Sequence, residues 1–352
     1  MEFGIGVATA ADSWKTVRRA EELGFHTAWF EDSQMVVADP FVAMAASAMQ
    51  TSTIRLATGI AVPSNRIAPV SANMLASLNR LAPGRIDWGV GTGFSARRAM
   101  GLPAVKVDVL REHVRQVRGL IEGETVDIGI EGKRRKIRFL NPERELFDVT
   151  TPIGFHVAAG GPRMRELTAS LDCHWINAYV TLEQARADIA AMDVAYTAAG
   201  RDPAAYRKTA YAFGGCLRDG ETCGSPRVRD QAGPLAAVVL HNLIETHFGD
   251  LGTGGIDDPV LLDAYRELYE SYEPDDARYL SLHRGHALFL REDEKPLITD
   301  EFIRNTSFTG TVDELADAVK GIRDAGYTGV SFMVLPHMTD AVEDWARVME
   351  RI

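Results

Sequence analysis

The chain has 352 residues, 46% of them hydrophobic, which is enough to bury a core without disulfides or a structural metal. A formal net charge of -11 opposes binding to nucleic acid or to anionic lipid. No run of about 18 apolar residues offers a membrane span.

The opening MEFGIGVATA has no basic segment ahead of its apolar one, so it reads as a buried strand rather than a secretion signal. Cys173, Cys216 and Cys223 are an odd set without metal-ligand spacing. Cys216 and Cys223 are close enough to pair, but a cytoplasmic protein keeps them reduced, and a cytoplasmic protein is what we expect.

Hydrophobic period alternates between two and 3.6 along the chain, the signature of βα units. Phe3–Thr9 predicts the first strand, with Asp12-Ser13 capping a helix that ends at Gly24. Residues 27–30 predict a second strand, and Pro40 opens a helix through Met49. Residues 54–58 are a third strand, and Pro69 opens a helix that Pro83-Gly84 stops. Residues 86–90 are the fourth strand, followed by a long helix over 106–121. Strands at 154–158 and 175–179 precede helices at 162–171 and 182–199. Residues 208–217 fit a seventh strand, 312–325 a helix, 329–334 the last strand and 340–352 a closing helix. Eight alternations in this length fit a single-domain (β/α)₈ TIM barrel better than an open sheet.

Two insertions interrupt the pattern. Residues 126–140 alternate on both sides of Glu131-Gly132, which predicts a β-hairpin whose Lys133-Arg134-Arg135-Lys136 run is a solvated edge. Residues 221–303 are mostly helical, material from which barrels build lids.

Three small-residue loops follow strands. Gly91-Thr92-Gly93-Phe94-Ser95-Ala96 fits the dinucleotide fingerprint, but three βα units precede it and Asp108 lies on a helix, so the Rossmann reading fits poorly. An ordinary tight turn remains open. Ala159-Gly160-Gly161 again follows a strand and opens a helix at Pro162. Two such loops on one rim offer N–H donors and helix dipoles to a phosphate. Thr58-Gly59-Ile60 leaves the third strand, where a glycine lets a flat ring lie against the backbone, although a Pro-punctuated loop fits equally well.

In the second insertion Arg278, Tyr279, His283, Arg284 and His286 form a basic cluster suited to an anionic substrate or, through His283, to a general acid. Its bland alternative is lid packing with salt bridges. His283 and His286 could share a helix face as metal ligands, but no carboxylate has matching spacing, so no metal is expected. His156 and His174 read as core histidines, and His241 and His247 as helix-surface or lid residues.

The segments AEELGFHTAWFEDSQ (20–34), IRLATGIAVPSNRIAPVSANMLASLNRLAPGRIDWGVGTG (54–93), AAGGPRMRELTASL (158–171) and FTGTVDELADAVKGIRDAGYTGVSF (308–332) together resemble the luciferase-like flavin oxidoreductases. Within that superfamily they resemble the deazaflavin-dependent branch typified by methylenetetrahydromethanopterin reductase. The resemblance implies hydride transfer between coenzyme F420 and a small organic substrate. Its alternatives are an FMN-dependent monooxygenase fed by a flavin or F420 reductase partner, and a non-catalytic flavin-binding barrel.

It also implies a cis peptide at Gly59–Ile60 behind the ring. A phosphate and ribityl cradle is implied at Gly91, Thr92, Gly93, Ser95, Ala159, Gly160 and Gly161. Catalytic or positioning carboxylates are implied at Glu31 and Asp32, with Gln34 beside them. Ser33 stands where many relatives have histidine, which weakens any role needing an imidazole there. Pairing of subunits through the helices after the second and third strands, giving a homodimer, is implied as well.

Overall fold

The computed structural model describes residues 1–178, 181–245, 256 and 258–352. Eight parallel strands close into a barrel: β1 (Glu2–Val7), β2 (Thr27–Phe30), β3 (Arg55–Ala61), β4 (Ile86–Val90), β5 (Gly154–Ala158), β6 (His174–Ala178), β7 (Lys208–Ala212) and β8 (Gly329–Val334). They follow one another around the ring in chain order, and β8 seals it by pairing with β1 from Glu2↔Gly329 to Val7↔Val334. The sheet is wrapped by α1 (Trp14–Glu22), α2 (Pro40–Ala48), α3 (Ala68–Leu81), α4 (Phe94–Arg98), α5 (Val107–Ile121), α6 (Pro162–Ser170) and α7 (Leu182–Ala198). A lid of α8 (Pro226–Glu245), α9 (Pro259–Glu270), α10 (Tyr279–Leu282) and α11 (Asp300–Thr306) follows, and α12 (Val312–Ala325) and α13 (Ala341–Met349) complete the ring.

Strand side chains alternate between two cores. Outward residues such as Ile5, Phe30, Leu56, Trp88 and Val157 pack beneath the helices. Inward residues include Trp29, Ala57, Ile176, Tyr211 and Met333. The two large inward rings fit because glycines face them. A β-carbon on Gly6 would overlap the Tyr211 hydroxyl, and one on Gly59 would sit 2.7 Å from Trp29 Cβ. At the N-terminal end of the barrel, Asp87 is fully buried between Arg55 and Arg207, each donating two hydrogen bonds of 2.6–2.9 Å. Burial opposes its charge, but the guanidiniums win and hold the carboxyl well below its usual range.

Sequence and structure part at a few places. Residues 208–217 are not one strand: Gly214 passes against the Phe308 carbonyl where no β-carbon would fit, and Cys216–Leu217 pair with Gly310–Thr311 instead. Ser13 does not cap α1, because its hydroxyl accepts the Ala10 N–H at 2.9 Å. The predicted strand end Tyr179 and the lid residue His247 lie outside the described residues. The hairpin forms from Val126–Ile130 and Lys133–Ile137, with its basic strand in solvent. All three cysteines are free and buried. No helix among the described residues is long and apolar enough to cross a membrane.

Candidate active site

The loops at 91–95 and 159–161 leave the C-terminal ends of strands, while Thr58-Gly59-Ile60, read as leaving the third strand, lies within the C-terminal part of β3, so all three face the rim where barrels build their sites. Because β3, β4 and β5 are neighbours, residues 59–60, 91–95 and 159–161 are brought side by side. A β-carbon on Gly91 would overlap Ile60 and lie 3.3 Å from the Ala158 β-carbon. The Gly59–Ile60 peptide is cis.

Within this cradle the residues do different work. Thr58 is buried, and its hydroxyl donates to the Gly89 carbonyl at 2.7 Å, tying β3 to β4. The Gly91 and Ala159 amides are already engaged, donating to Ala61 and Ile176 at 3.1 Å each. Gly93 is left-handed (φ 78°) and packs where a β-carbon would overlap Val62. Thr92 is half-buried beside it. Gly160 and Gly161 are exposed, and a β-carbon on Gly161 would meet nothing within 4 Å. They lead into α6, where Pro162 carries no N–H and the Met164 and Arg165 amides donate to the Gly161 carbonyl at 3.1 and 3.0 Å. This open corner, where among the described residues the Gly160, Gly161 and Arg163 amides donate to no backbone carbonyl, fits an anionic tail.

At the end of β2, Glu31 is half-buried and has no cation or hydrogen-bond donor on its carboxyl among the described residues. Burial alone pushes its pKa up to about 8. Asp32 is differently placed: buried, it accepts from Arg66 at 2.8 Å and from the Val62 N–H at 3.3 Å. Its charge is therefore neutralised and its oxygens hold the loop after β3. Gln34 donates to the Ala96 carbonyl at 2.6 Å and accepts from Asn65 at 2.7 Å. The loops after β2, β3 and β4 are thus bolted together.

The lid closes over this rim. Leu235 and Val238 of α8, with Ala287 and Leu288, pack against Trp29, Ile60 and Tyr211. His283 is buried, 2.6 Å from Glu245, which also pairs with Arg98 at 2.9 Å. His286 is buried, 2.9 Å from the Ser95 hydroxyl through Nε2 and 2.7 Å from His241 through Nδ1. His241, expected at a helix surface or in the lid, is a buried residue of the lid helix α8, with its Nε2 2.7 Å from Glu294. Both His286 nitrogens are engaged, so it does not form a metal pair with His283, and no metal-binding group of three or more occurs among the described residues.

His156 is a core histidine as expected, but neither ring nitrogen has a hydrogen-bond partner. The Asp87 oxygen nearest it is 3.7 Å away. Sequence reading missed His241, Glu294, Glu245 and Arg98. The contacts Arg98–Glu245, His241–His286, His241–Glu294 and His283–Glu245 span 38 to 147 residues, and no local spacing announces them.

The family model for luciferase-like monooxygenases matches residues 6–329, so the chain belongs to that family. An F420-dependent hydroxymycolic acid dehydrogenase of Mycobacterium tuberculosis is 30% identical over 230 residues, 60% of this chain and 62% of that protein. A 5,10-methylenetetrahydromethanopterin reductase of Methanolobus tindarius is 31% identical over 220 residues, 60% of this chain and 64% of that protein. The matched segments thus span a little under two thirds of these relatives. The coenzyme F420-dependent tetrahydromethanopterin reductase of Methanopyrus kandleri shares the fold, with a TM-score of 0.70, 19% identity and coverage of 98% of this chain and 97% of that one.

Proposed function

We propose that this protein is an oxidoreductase that moves a hydride between coenzyme F420 and a small organic substrate. The observation that carries the reading is the exposed, open corner at Gly160–Gly161 on the same rim as an unpaired, half-buried carboxyl at Glu31. Two curated relatives whose names specify F420 or a methanopterin reductase support the choice of cofactor.

Gly160, Gly161 and the first turn of α6 hold the anionic tail, with Thr92 and the packed glycines Gly91 and Gly93 shaping the wall beside it. Thr58, Gly59 and Ile60 form the wall behind the ring, fixed to β4 by the Thr58 hydroxyl. When bound, a deazaflavin supplies hydride exchange at one ring carbon without ready activation of oxygen. Glu31, protonated at neutral pH, donates a hydrogen bond to a polar edge of the ring or substrate. Asp32 positions the loop after β3 through Arg66. His283, held by Glu245, anchors the lid over the mouth. The lid at 221–303 excludes water and sets specificity.

Titration of the cofactor-free protein with F420 and with FMN tests the reading. Micromolar affinity for F420 is expected; affinity for FMN alone would replace the proposal with the family's monooxygenase chemistry. The variant Gly161→Val should stay folded and lose more than tenfold in F420 affinity, about 1.4 kcal/mol, because its side chain fills open space rather than protein.

We further propose a homodimer built on α2 and α3, where Val42, Met49, Ile67 and Val70 are large apolar side chains left exposed. A cytoplasmic location accords with three unpaired cysteines. An F420 reductase is the partner class that would recycle the cofactor.

A further inference from the structure

We infer that Ser95, His286, His241 and Glu294 form a proton relay whose open end, Ser95, receives the hydroxyl proton of an alcohol substrate. The inference rests on the hydride-transfer reading above and adds the substrate class, an alcohol and carbonyl pair, together with the proton path.

With both histidines neutral, the contacts permit one arrangement of protons. Glu294 is buried and faces Arg291 at 2.8 Å, while the Tyr265 hydroxyl donates to it at 2.8 Å, so it is a carboxylate and accepts only. The His241 Nε2 at 2.7 Å must then carry a hydrogen. A neutral His241 has a bare Nδ1, and the 2.7 Å contact with His286 Nδ1 requires the hydrogen on His286. That leaves the His286 Nε2 bare, so it accepts from the Ser95 hydroxyl at 2.9 Å. Ser95 therefore presents lone pairs, not a donor, to the rim.

The surroundings favour this neutral starting state. His286 is faced by Ser95 and Arg98 from α4, by His241 from α8, and by His283 and Arg291 from the rest of the lid. Burial first, and then these neighbouring histidines and cations, holds its pKa well below the usual imidazole range. Burial likewise lowers that of His241 against the pull of Glu294. Of the four relay residues only Ser95 is half-exposed; the two histidines and Glu294 are buried. Protons can thus enter or leave only through the serine.

The proton half of the oxidation then balances. The substrate's O–H bond breaks and its proton goes to Ser95 Oγ, while the Ser95 proton passes to His286 Nε2. The hydrogen on His286 Nδ1 moves to His241 Nδ1, and the positive charge comes to rest beside the Glu294 carboxylate. The electron pair of the O–H bond becomes part of the new C=O bond as the carbon's hydride leaves for the deazaflavin. Ser95 is the catalytic residue, and His286, His241 and Glu294 are positioning residues that act through it.

Nitrogen-15 NMR of the cofactor-free protein tests the arrangement directly. A hydrogen on His286 Nδ1 and on His241 Nε2 is expected; a hydrogen on His286 Nε2 would overturn the relay. Oxidation of a panel of primary and secondary alcohols with F420 tests the chemistry. Ser95→Ala and His286→Gln should each lower kcat on the order of 100-fold with KM within about twofold, and His286→Gln should leave F420 affinity within about twofold. Both should also lose the fall in kcat at low pH that protonation of the relay produces, and Ser95→Thr should restore most of the rate. Equal kcat in wild type and Ser95→Ala, or a wild type that binds F420 and oxidises none of the alcohols, would overturn the inference. A wild type that does not bind F420 would overturn the function proposed above, while the NMR result still decides the relay.

Discussion

Glu31 and Asp32 are consecutive carboxylates with opposite fates, decided by what each side chain meets. Arg66 reaches Asp32 and, among the described residues, nothing cationic reaches Glu31, so one is ion-paired and the other is pushed up to about 8 by burial. The native state therefore holds a proton on Glu31 between its ordinary value near 4.5 and about 8, where the unfolded chain has lost it. Stability falls as pH rises through that window and levels off above it. Replacing Glu31 with Gln should remove this slope. Thermal melts at pH 6 and pH 9 should then converge for Glu31→Gln relative to wild type, and an unchanged difference would mean that the carboxyl is ionised in the native state. The contrast between Gly93 and Gly161 is equally local: a side chain at Gly93 collides with Val62, so loss of binding there would report on packing, whereas Gly161 reports on the ligand.

Elements with a local cause were legible in the sequence; those fixed by distant partners were not. α12 was readable because Thr311 and Glu314 form a capping box and Gly326 closes the helix in the left-handed region (φ 112°). Thr311→Ala should cost about 1 kcal/mol, read as a lower urea midpoint with unchanged slope. The strand ends with Gly59 and Gly91 were readable for the same reason, since glycine marks backbone that side chains cannot share. The seventh strand was overrun because Phe213–Leu217 is apolar enough to continue it, and only the approach of Phe308 turns the chain away. The lid histidines were seen as a basic cluster. Their pairing with Glu245, Glu294 and Ser95 depends on how α8, α10 and α4 meet, which no spacing encodes. Sequence also could not tell free amides from spent ones: Gly91 and Gly161 look alike in the chain, yet only one has its N–H engaged.

Across the whole molecule, charge and apolar surface are separated in a way that bears on assembly. Val42, Met49, Ile67 and Val70 expose side chains on α2 and α3, while the basic hairpin strand lies elsewhere in solvent. The proposed homodimer would bury that apolar face against a second copy. Val42→Glu with Met49→Glu should convert a dimer to a monomer in sedimentation at micromolar concentration, with the melting temperature little changed if each barrel is stable alone. A wild type that sediments as a monomer would remove the proposed interface.

The seam between β1 and β8 has a further consequence. One edge of β1 pairs with β2, but its other edge finds a partner only when β8 is made, so the earlier part of the barrel waits with that edge unsatisfied. Any product ending before Gly329 is left as an open, curled sheet whose two raw margins are free to pair with a neighbour. Premature termination in this fold therefore yields material prone to aggregate rather than a smaller enzyme.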